Sequence, residues 1–207
     1  VCTADDADAT AFPLDTPVLI SSVQSAIGKA GEKGTLAISL QAIANQSKPY
    51  VIVVRVKEGQ DEAETASALI GTTTESGKYT GMKALLAAKA RVGMVPRILG
   101  VPGLDSLPVA TALVAISQQL RAFCYVSAWD CKTKEEAVAY RENFGAREVM
   151  VIWPDFQKWD TATNKTVKAS AVARALGAKD PDAALTWLAS LLPGQVQRLA
   201  LNNILTG

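Results

Sequence analysis

Histidine is absent from this 207-residue sequence. Its absence excludes the Ser-His-Asp triad and the Cys-His dyad of hydrolases, and it removes a principal ligand of catalytic zinc. An enzyme built on this sequence would have to move protons with lysine, tyrosine or carboxylate side chains. Nucleophilic hydrolysis and zinc chemistry are therefore poor explanations of its function.

An excess of charge of one sign and long hydrophobic runs are lacking as well. The formal net charge is +1, from 21 basic and 20 acidic residues that are interspersed along the chain. This balance argues against nucleic acid or an anionic membrane as a partner. The apolar stretch at residues 50–54 is far too short to cross a bilayer. The three cysteines are an odd number, which fits a reducing compartment better than a disulfide scaffold.

Apolar segments alternate with amphipathic ones, a pattern typical of βα units. The predicted fold is α/β: a three-layer sandwich whose mainly parallel central sheet has about five strands. Four consecutive β-branched residues at 51–54 favour a central strand that is buried on both faces. Glu136 follows Thr133 at the spacing of a capping box, which predicts a helix start. Strands are predicted at residues 18–20, 50–56, 97–101, 122–127 and 148–153, and helices from 22 to about 28 or 31, from 35 onward, and at 61–70, 81–92, 108–121, 133–144, 168–178 and 182–192.

Two glycine-containing segments superficially resemble phosphate-binding loops. In residues 28–35, Gly34 separates Lys33 from Thr35, whereas the lysine of a phosphate loop directly precedes the Ser or Thr. Residues 100–103, Gly-Val-Pro-Gly, follow a predicted strand at a position where α/β sheets often bind ligands. Pro102, however, removes one backbone N–H that could meet a phosphate. A glycine-rich turn is the better interpretation of each segment.

Three aspartates fall near the carboxyl ends of predicted strands: Asp105, Asp130 and Asp155. In a parallel sheet these ends lie along one edge, and three carboxylates there could coordinate Mg²⁺. This is the strongest enzymatic hypothesis that the sequence offers. Aspartate is also favoured at strand-exit turns, because its side chain bonds to nearby backbone groups. The turn interpretation is preferred, and no catalytic, cofactor-binding or metal-ligating residue is assigned.

The cysteines and tryptophans suggest packing rather than chemistry. Cys124 falls within a predicted strand and is expected to be an inert buried thiol. Cys131 falls in a loop between Asp130 and Lys132, and a reactive thiol there is the less favoured hypothesis. Tryptophans serve more often as core or interface anchors than as sugar platforms. They are Trp129, Trp153, Trp159 and Trp187.

Six segments of the sequence, taken in order, carry a resemblance to a known family. They are FPLDTPVLISSVQSAIGKAG at 12–31, GTLAISLQAIANQSKP at 34–49, VVRV at 53–56, IGTTTESGKYTGMKALLAAKARVGMVPRILGVPGLDS at 70–106, QQLRAFCYVSAWDCKTKEEAVAYRENFG at 118–145 and VMVIWPDFQKWDTATN at 149–164. These segments resemble the sheath proteins of contractile phage tails. Together they are similar to the major domain of P2-type tail sheath subunits, and also to R-type pyocin sheaths. Residues 179–207 match that pattern only loosely.

The resemblance implies a structural function rather than an enzymatic one. Sheath subunits assemble helically around a tail tube above a baseplate, and the array contracts to drive the tube through the target cell envelope. Residues 1–207 are then expected to be one domain of a longer subunit, whose N-terminal arm and C-terminal domain provide many of the contacts. The expected location is the virion tail, assembled in the bacterial host cytoplasm, without cofactor, nucleic acid or membrane. A pyocin or prophage device and the Mg²⁺-dependent enzyme are the alternatives.

The absent histidines, the interrupted Lys33–Thr35 order and Pro102 predict that this chain binds neither metal nor nucleotide. Calorimetric titration with Mg²⁺, ATP and NAD is expected to give no saturable heat. A dissociation constant near micromolar for any of these three ligands would contradict the structural interpretation.

The resemblance also predicts that this chain by itself is a soluble monomer, since strand-exchanging arms would belong to other segments of the subunit. Contacts between major domains alone are expected to bury less than the roughly 1,000 Å² of a stable interface. Light scattering at high concentration is expected to give a mass near 21.8 kDa. Rings or tubes formed by this chain alone would place the assembly contacts within it.

Overall fold

The structure, a computed structural model, describes residues 1–154, 156–160 and 165–176. Within these residues, strands and helices alternate as the sequence predicts for an α/β protein. The strands are β1 (Cys2–Thr3), β2 (Val18–Ile20), β3 (Val51–Val53), β4 (Arg55–Val56), β5 (Ile98–Leu99), β6 (Phe123–Ser127), β7 (Val149–Ile152), β8 (Phe156–Asp160) and β9 (Lys165–Ala169). The helices are α1 (Val23–Ile27), α2 (Leu36–Ala44), α3 (Glu62–Ile70), a 3₁₀ helix (Gly81–Ala87), α4 (Ala88–Val92), α5 (Leu107–Leu120), α6 (Lys134–Arg141) and α7 (Ala171–Leu176).

The largest sheet among the described strands contains β5, β6 and β7 in that order, and both of its pairings are parallel. β6 is central, since Cys124 lies opposite both Leu99 and Val149. The connections pass through α5 and α6, so each forms a βαβ unit as predicted. The middle of β6 and the whole of β7 are buried. This continuous burial is typical of a parallel sheet that is covered on both faces.

The N-terminal half contributes two further pairings. β1 runs parallel to β4, with Cys2 opposite Arg55, and β2 runs antiparallel to β3. The prediction of one strand at residues 50–56 is wrong, because the segment divides at Val54 into β3 and β4, which pair with different strands. Val51 and Ile52 are only half-buried, so this part of the segment is not enclosed on both faces.

A single central sheet of five strands is not confirmed, since the sheets of the described residues contain two or three strands each. One hydrogen bond links two of these sheets. The backbone nitrogen of Val1 donates to the carbonyl of Gly100, directly after β5, at 2.9 Å. The β1–β4 pair therefore lies beside β5. The β1–β4 pairing and the β5–β6 pairing, which flank this hydrogen bond, are both parallel.

Two helices, α3 and α6, begin at side-chain caps that satisfy one of their first N–H groups. Before α6, the Thr133 hydroxyl accepts from the N–H of Glu136, whose carboxylate accepts from the N–H of Thr133, which confirms the predicted capping box. Asp61 caps α3 by accepting from the N–H of Glu64 at 2.7 Å. Pro108 lies in the first turn of α5, where its missing N–H is tolerated. No helix among the described residues is long and apolar enough to span a membrane.

Three segments bear on the remaining helix predictions. Residues 81–92, predicted as one helix, form the 3₁₀ helix followed by α4, and Gly81 at the start has a positive φ of 56°. β9 occupies residues 165–169, where a helix was predicted from 168, and pairs with β8 in a hairpin that was not predicted. The β-branched pair Thr166 and Val167 explains the strand. The helix predicted at 182–192 lies outside the described residues.

Buried side chains form two clusters on opposite sides of the segment 53–56. Val54 and Val56 face the larger cluster and Val53 the smaller, because successive residues of a strand point to opposite faces. The larger cluster lies between the β5–β6–β7 sheet and the helices α3 and α5, and includes Leu69, Met82, Leu113, Val126 and Val151. The smaller cluster lies between the first 30 residues and α2, and includes Cys2, Phe12, Ile20, Leu36 and Leu40.

Arg55 joins the N-terminal residues to the rest of the fold. Its side chain is only 6% exposed. Its Nε donates to the carbonyl of Phe12 at 2.6 Å, and its Nη1 donates to the carbonyl of Ala4 at 2.8 Å. Its own carbonyl accepts from the N–H of Asp15 at 2.9 Å. A buried cation is tolerated here because these acceptors replace its water.

We expect Arg55→Ala to lower the free energy of unfolding by about 3 kcal/mol, because two buried carbonyls lose their donors and a cavity remains. Urea denaturation followed by circular dichroism measures the change. Arg97→Ala is the matched control: Arg97 is exposed and donates to the carbonyls of Leu120 and Arg121 at 3.2 and 3.3 Å. Its loss is expected to stay below about 1 kcal/mol. Equal losses for the two variants would contradict this account.

Candidate functional site

Asp105 is fully buried and fastens the end of β6. It lies between β5 and α5. Its carboxylate accepts from the backbone N–H of Ser127 and, at 2.8 Å, from the Ser127 hydroxyl. These two bonds engage both Asp105 oxygens, as is usual for a buried carboxylate. Burial raises the pKa of the nearby Tyr140 phenol, and the charge of Asp105 adds to this effect.

The other two aspartates of the proposed metal edge do not join Asp105. Asp130 is exposed, and its backbone has a φ of 56°, a left-handed conformation that aspartate tolerates in turns. Asp155 lies outside the described residues. Among the residues that the structure describes, no group of three or more His, Cys, Asp or Glu side chains could hold a metal ion. The described geometry therefore does not favour the magnesium hypothesis.

The glycine-rich segment 28–35 is bound by a carboxylate of the chain itself. Asp6 accepts from the N–H of Glu32 at 2.9 Å and from the N–H of Lys33 at 3.0 Å, and these two bonds lower the pKa of its carboxyl group. Gly34 has a φ of 80°, and a Cβ added there would lie 2.4 Å from the carbonyl oxygen of Thr3. The segment is thus a turn packed on β1, and Asp6 occupies N–H groups that a phosphate would need.

The segment 100–103 is also a packed turn. Gly100 accepts from Val1, and a Cβ added at Gly100 would lie 2.9 Å from the side chain of Leu176. The N–H of Leu104 closes the turn on the carbonyl of Val101 at 3.2 Å. Pro102 is buried. These contacts make the segment a packed turn, and Gly100 and Pro102 also line the apolar groove described below.

Neither Cys124 nor Cys131 has the environment of a reactive thiol. Cys124 is fully buried, and burial raises its pKa to about 11. Cys131 is half-buried, and its pKa is raised by burial and then by the charges of Glu136 and Asp130. Reactive cysteines need the opposite, a positive environment that favours the thiolate.

The described tryptophans anchor loops against the core. Trp129 and Trp153 are half-buried and pack against the larger cluster. The indole Nε1 of Trp153 donates to the carbonyl of Cys131 at 2.9 Å, which ties the loop before α6 to the end of β7. Their role is the anchoring one predicted for them. The side chain of Trp159 and the whole of Trp187 lie outside the described residues.

An apolar groove of about 600 Å³ lies between β3 and β5. Leu40 and Ile43 of α2 and Leu85 of the 3₁₀ helix contribute to its walls. Its described lining residues include no carboxylate, so it lacks the groups of a hydrolytic or metal site. Sequence reasoning missed this groove, because β3 and β5 are more than 40 residues apart in the chain. No local sequence pattern indicates a space between two such distant strands.

Comparison with known proteins gives one consistent result. Residues 77–205 match the family model of the phage tail sheath protein central domain. Residues 1–56 match the model of the tail sheath protein Gp18 domain III N-terminal region. The first match alone covers more than half of the chain.

Individual relatives agree with the family models. The chain is 63% identical over 183 residues to the tail sheath protein of Escherichia phage P2, covering 86% of this chain and 46% of that protein. It is 51% identical over 180 residues to the major tail sheath protein of Serratia phage KSP20, with the same coverage of 86% and 46%. A prophage major tail sheath sequence of Pseudomonas aeruginosa strain UCBPP-PA14 is 36% identical over 172 residues, covering 83% and 44%. The chain thus spans about half the length of the relatives it matches.

Thiol titration in denaturant without reductant is expected to find three thiols per chain, because the cysteines are free in the structure. In the native protein, Cys131 should react first, since Cys2 and Cys124 are buried. The variant Cys131→Ser is the control and should remove the fast phase alone. A count of one thiol in denaturant would reveal a disulfide and contradict the prediction.

Proposed function

The chain belongs to the phage tail sheath protein family, and on that premise we propose that it is part of a structural subunit of a contractile tail sheath. In this proposal many copies assemble helically around the tail tube. Contraction of the array then drives the tube through the envelope of the target cell. The observation that carries the proposal is the match of residues 77–205 to the central domain of the family.

The partners follow from the same proposal. The principal partner is a neighbouring sheath subunit, and a heterologous contact that does not close into a ring generates the open helical array. Tail tube and baseplate are reached through parts of the subunit beyond these residues. The location is the virion tail, after assembly in the host cytoplasm. Because one relative is a prophage major tail sheath protein, a contractile device encoded by a prophage is the alternative source of such a sheath.

Contraction needs two packings of the same subunits with different free energies, and it needs no catalytic residue. The fold suits that task, because capped helices and two buried clusters make residues 1–154 a body that can move as a unit. We find no observation that favours the Mg²⁺-dependent enzyme. Asp105, one of the three aspartates of that hypothesis, is already engaged by Ser127.

The finer architecture is also part of the proposal. We infer that β4, β1, β5, β6 and β7 act as one parallel layer of five strands, in that order. The supporting observation is the hydrogen bond from the Val1 nitrogen to the Gly100 carbonyl, which connects the two parallel sheets. Residues 1–207 would then be one domain of the longer subunit.

Negative-stain microscopy of the longest polypeptide that the gene encodes tests the proposed function. Under high-salt conditions the purified protein is expected to form hollow tubes of uniform diameter. The 207-residue chain, prepared in parallel, is the control and should form none. A full-length protein that stays monomeric across concentrations and salts would count against a sheath role.

A further inference from the structure

Four strands of the fold are each preceded by an exposed basic residue. Lys48 precedes β3, Arg97 precedes β5, Arg121 precedes β6 and Arg147 precedes β7. Because β5, β6 and β7 are parallel neighbours, their three arginines lie along one edge of the sheet. The Nη1 of Arg97 donates to the carbonyls of Leu120 and Arg121 at 3.2 and 3.3 Å, which places these two arginines side by side.

The lysine before β3 lies at the same end of the fold as these arginines. The N–H of Cys2 donates to the carbonyl of Val54 at 3.2 Å, and the nitrogen of Val1 donates to the carbonyl of Gly100 at 2.9 Å. The ends of β3 and β5 are therefore level with each other, and the residues before both strands lie at the opposite end. Lys48 accordingly borders the same apolar groove as the residues before β5. We call Lys48 and the three arginines the basic edge.

The basic edge has little acidic charge near it. Residues 33–57 and 76–104 contain no acidic residue, although the two signs are interspersed along the sequence as a whole. Arg147 forms an ion pair with its sequence neighbour Glu148 at 3.1 Å. Within the part of the chain that the structure describes, the other three residues of the basic edge form no ion pair. Their charges are thus available to a partner.

The opposite end of the same strands is acidic. Asp5 follows β1, Glu58 and Asp61 follow β4, and Asp130 follows β6, and all four residues are exposed. The N–H of Glu58 donates to the carboxylate of Asp5 at 3.0 Å, so these two residues are adjacent. Residues 58–77 contain no basic residue. We call these four residues the acidic edge.

Helix ends explain only part of this separation of charge. Asp61 caps the start of α3, and Arg97 and Arg121 lie at the carbonyl end of α5, as helix dipoles favour. Lys48 and Glu58 lie beyond the helices, one before β3 and the other after β4. Among the described residues neither forms an ion pair, so no contact within the chain accounts for this pair of opposite charges.

We propose that the basic edge docks onto the acidic edge of a second copy of this chain, head to tail. A copy displaced along the strands places Lys48 opposite the partner's Glu58 and Arg121 opposite the partner's Asp130, because each pair lies at the two ends of one strand segment. The contact joins two different surfaces, so it repeats without closing. The inference deepens the proposed function and rests on it, since it names a contact between copies of the array.

Charge complementarity favours a second copy over another anionic partner. The chain itself carries the matching acidic row, and its net charge of +1 gives little overall attraction for nucleic acid. Exposed charge pairs are individually weak and are screened by salt, so the contact is transient between isolated chains, which remain mostly monomeric. In a helical array, other contacts hold the two edges close together and raise their effective concentration.

Carbodiimide cross-linking tests the contact, because this reagent joins a lysine amine to a carboxylate that touches it. Isotopically light and heavy copies of the longest polypeptide that the gene encodes are mixed at high concentration in about 0.02 M salt. Peptide mapping is expected to find links between copies that join Lys48 to Glu58 or Asp61. Lys132, which is exposed at the opposite end, is the internal control and should form no link between copies to these acids. Raising the salt to about 0.5 M is expected to lower the yield roughly fivefold.

A charge swap provides a second measurement. The variants Lys48→Glu and Glu58→Lys each place like charges at the contact, so each variant alone should form no link between positions 48 and 58. Mixing the two variants restores opposite charges and is expected to restore a link between copies, now with the amine at position 58. Circular dichroism of each variant checks that it is folded. A purely structural role of these side chains would not produce recovery on mixing.

Several outcomes would overturn the proposal: links from Lys48 no more frequent than those from Lys132, a yield independent of salt, or no recovery in the charge swap. Binding of a short DNA duplex that Lys48→Glu abolishes, without links between copies, would assign the basic edge to nucleic acid instead. Tubes that form without these links would refute the contact and leave the proposed function standing. Links from a protein that never forms tubes would support the contact and count against the proposed function.

Discussion

The buried guanidinium of Arg55 is the interaction on which the N-terminal half depends. Within β4, Arg55 has Cys2 as its backbone neighbour on one side and Leu14 on the other. Its side chain binds two carbonyls from the first 12 residues. The adjacent valines, Val54 and Val56, belong to the larger cluster. The same short segment therefore orients the N-terminal residues and closes the main core, which couples the two clusters.

Aspartates give the loops a second level of connection. The carboxylate of Asp15 accepts from the N–H of Gly81 at 2.7 Å, across 66 residues of sequence. Asp105 holds Ser127, across 22 residues. Each carboxylate thus satisfies a backbone group of a distant segment, and Asp105, which looks like a metal ligand in the sequence, is already bound by Ser127. In the proposed sheath subunit, loops tied in this way would resist deformation.

Sequence reasoning succeeded where the signal is local. The capping box of Thr133 and Glu136, the early proline of α5 and the strand 123–127 all follow from residues close together in the chain. It failed where the outcome depends on distant partners. The division at Val54 arises because β3 and β4 pair with different strands, and the groove between β3 and β5 is a property of two separated segments. The family resemblance supplied the proposed function, since a structural subunit has no catalytic motif to find.

The contact of Asp6 with the turn at residues 28–35 has a consequence for how this protein meets its surroundings. Its carboxylate accepts from two neighbouring backbone N–H groups, so the turn carries a built-in anion in place of a diffusible one. A nucleotide or phosphate would have to displace the Asp6 carboxylate before it could bind these two N–H groups. If the chain is part of a sheath subunit as proposed, such internal occupancy would help it keep its shape through changing chemical conditions.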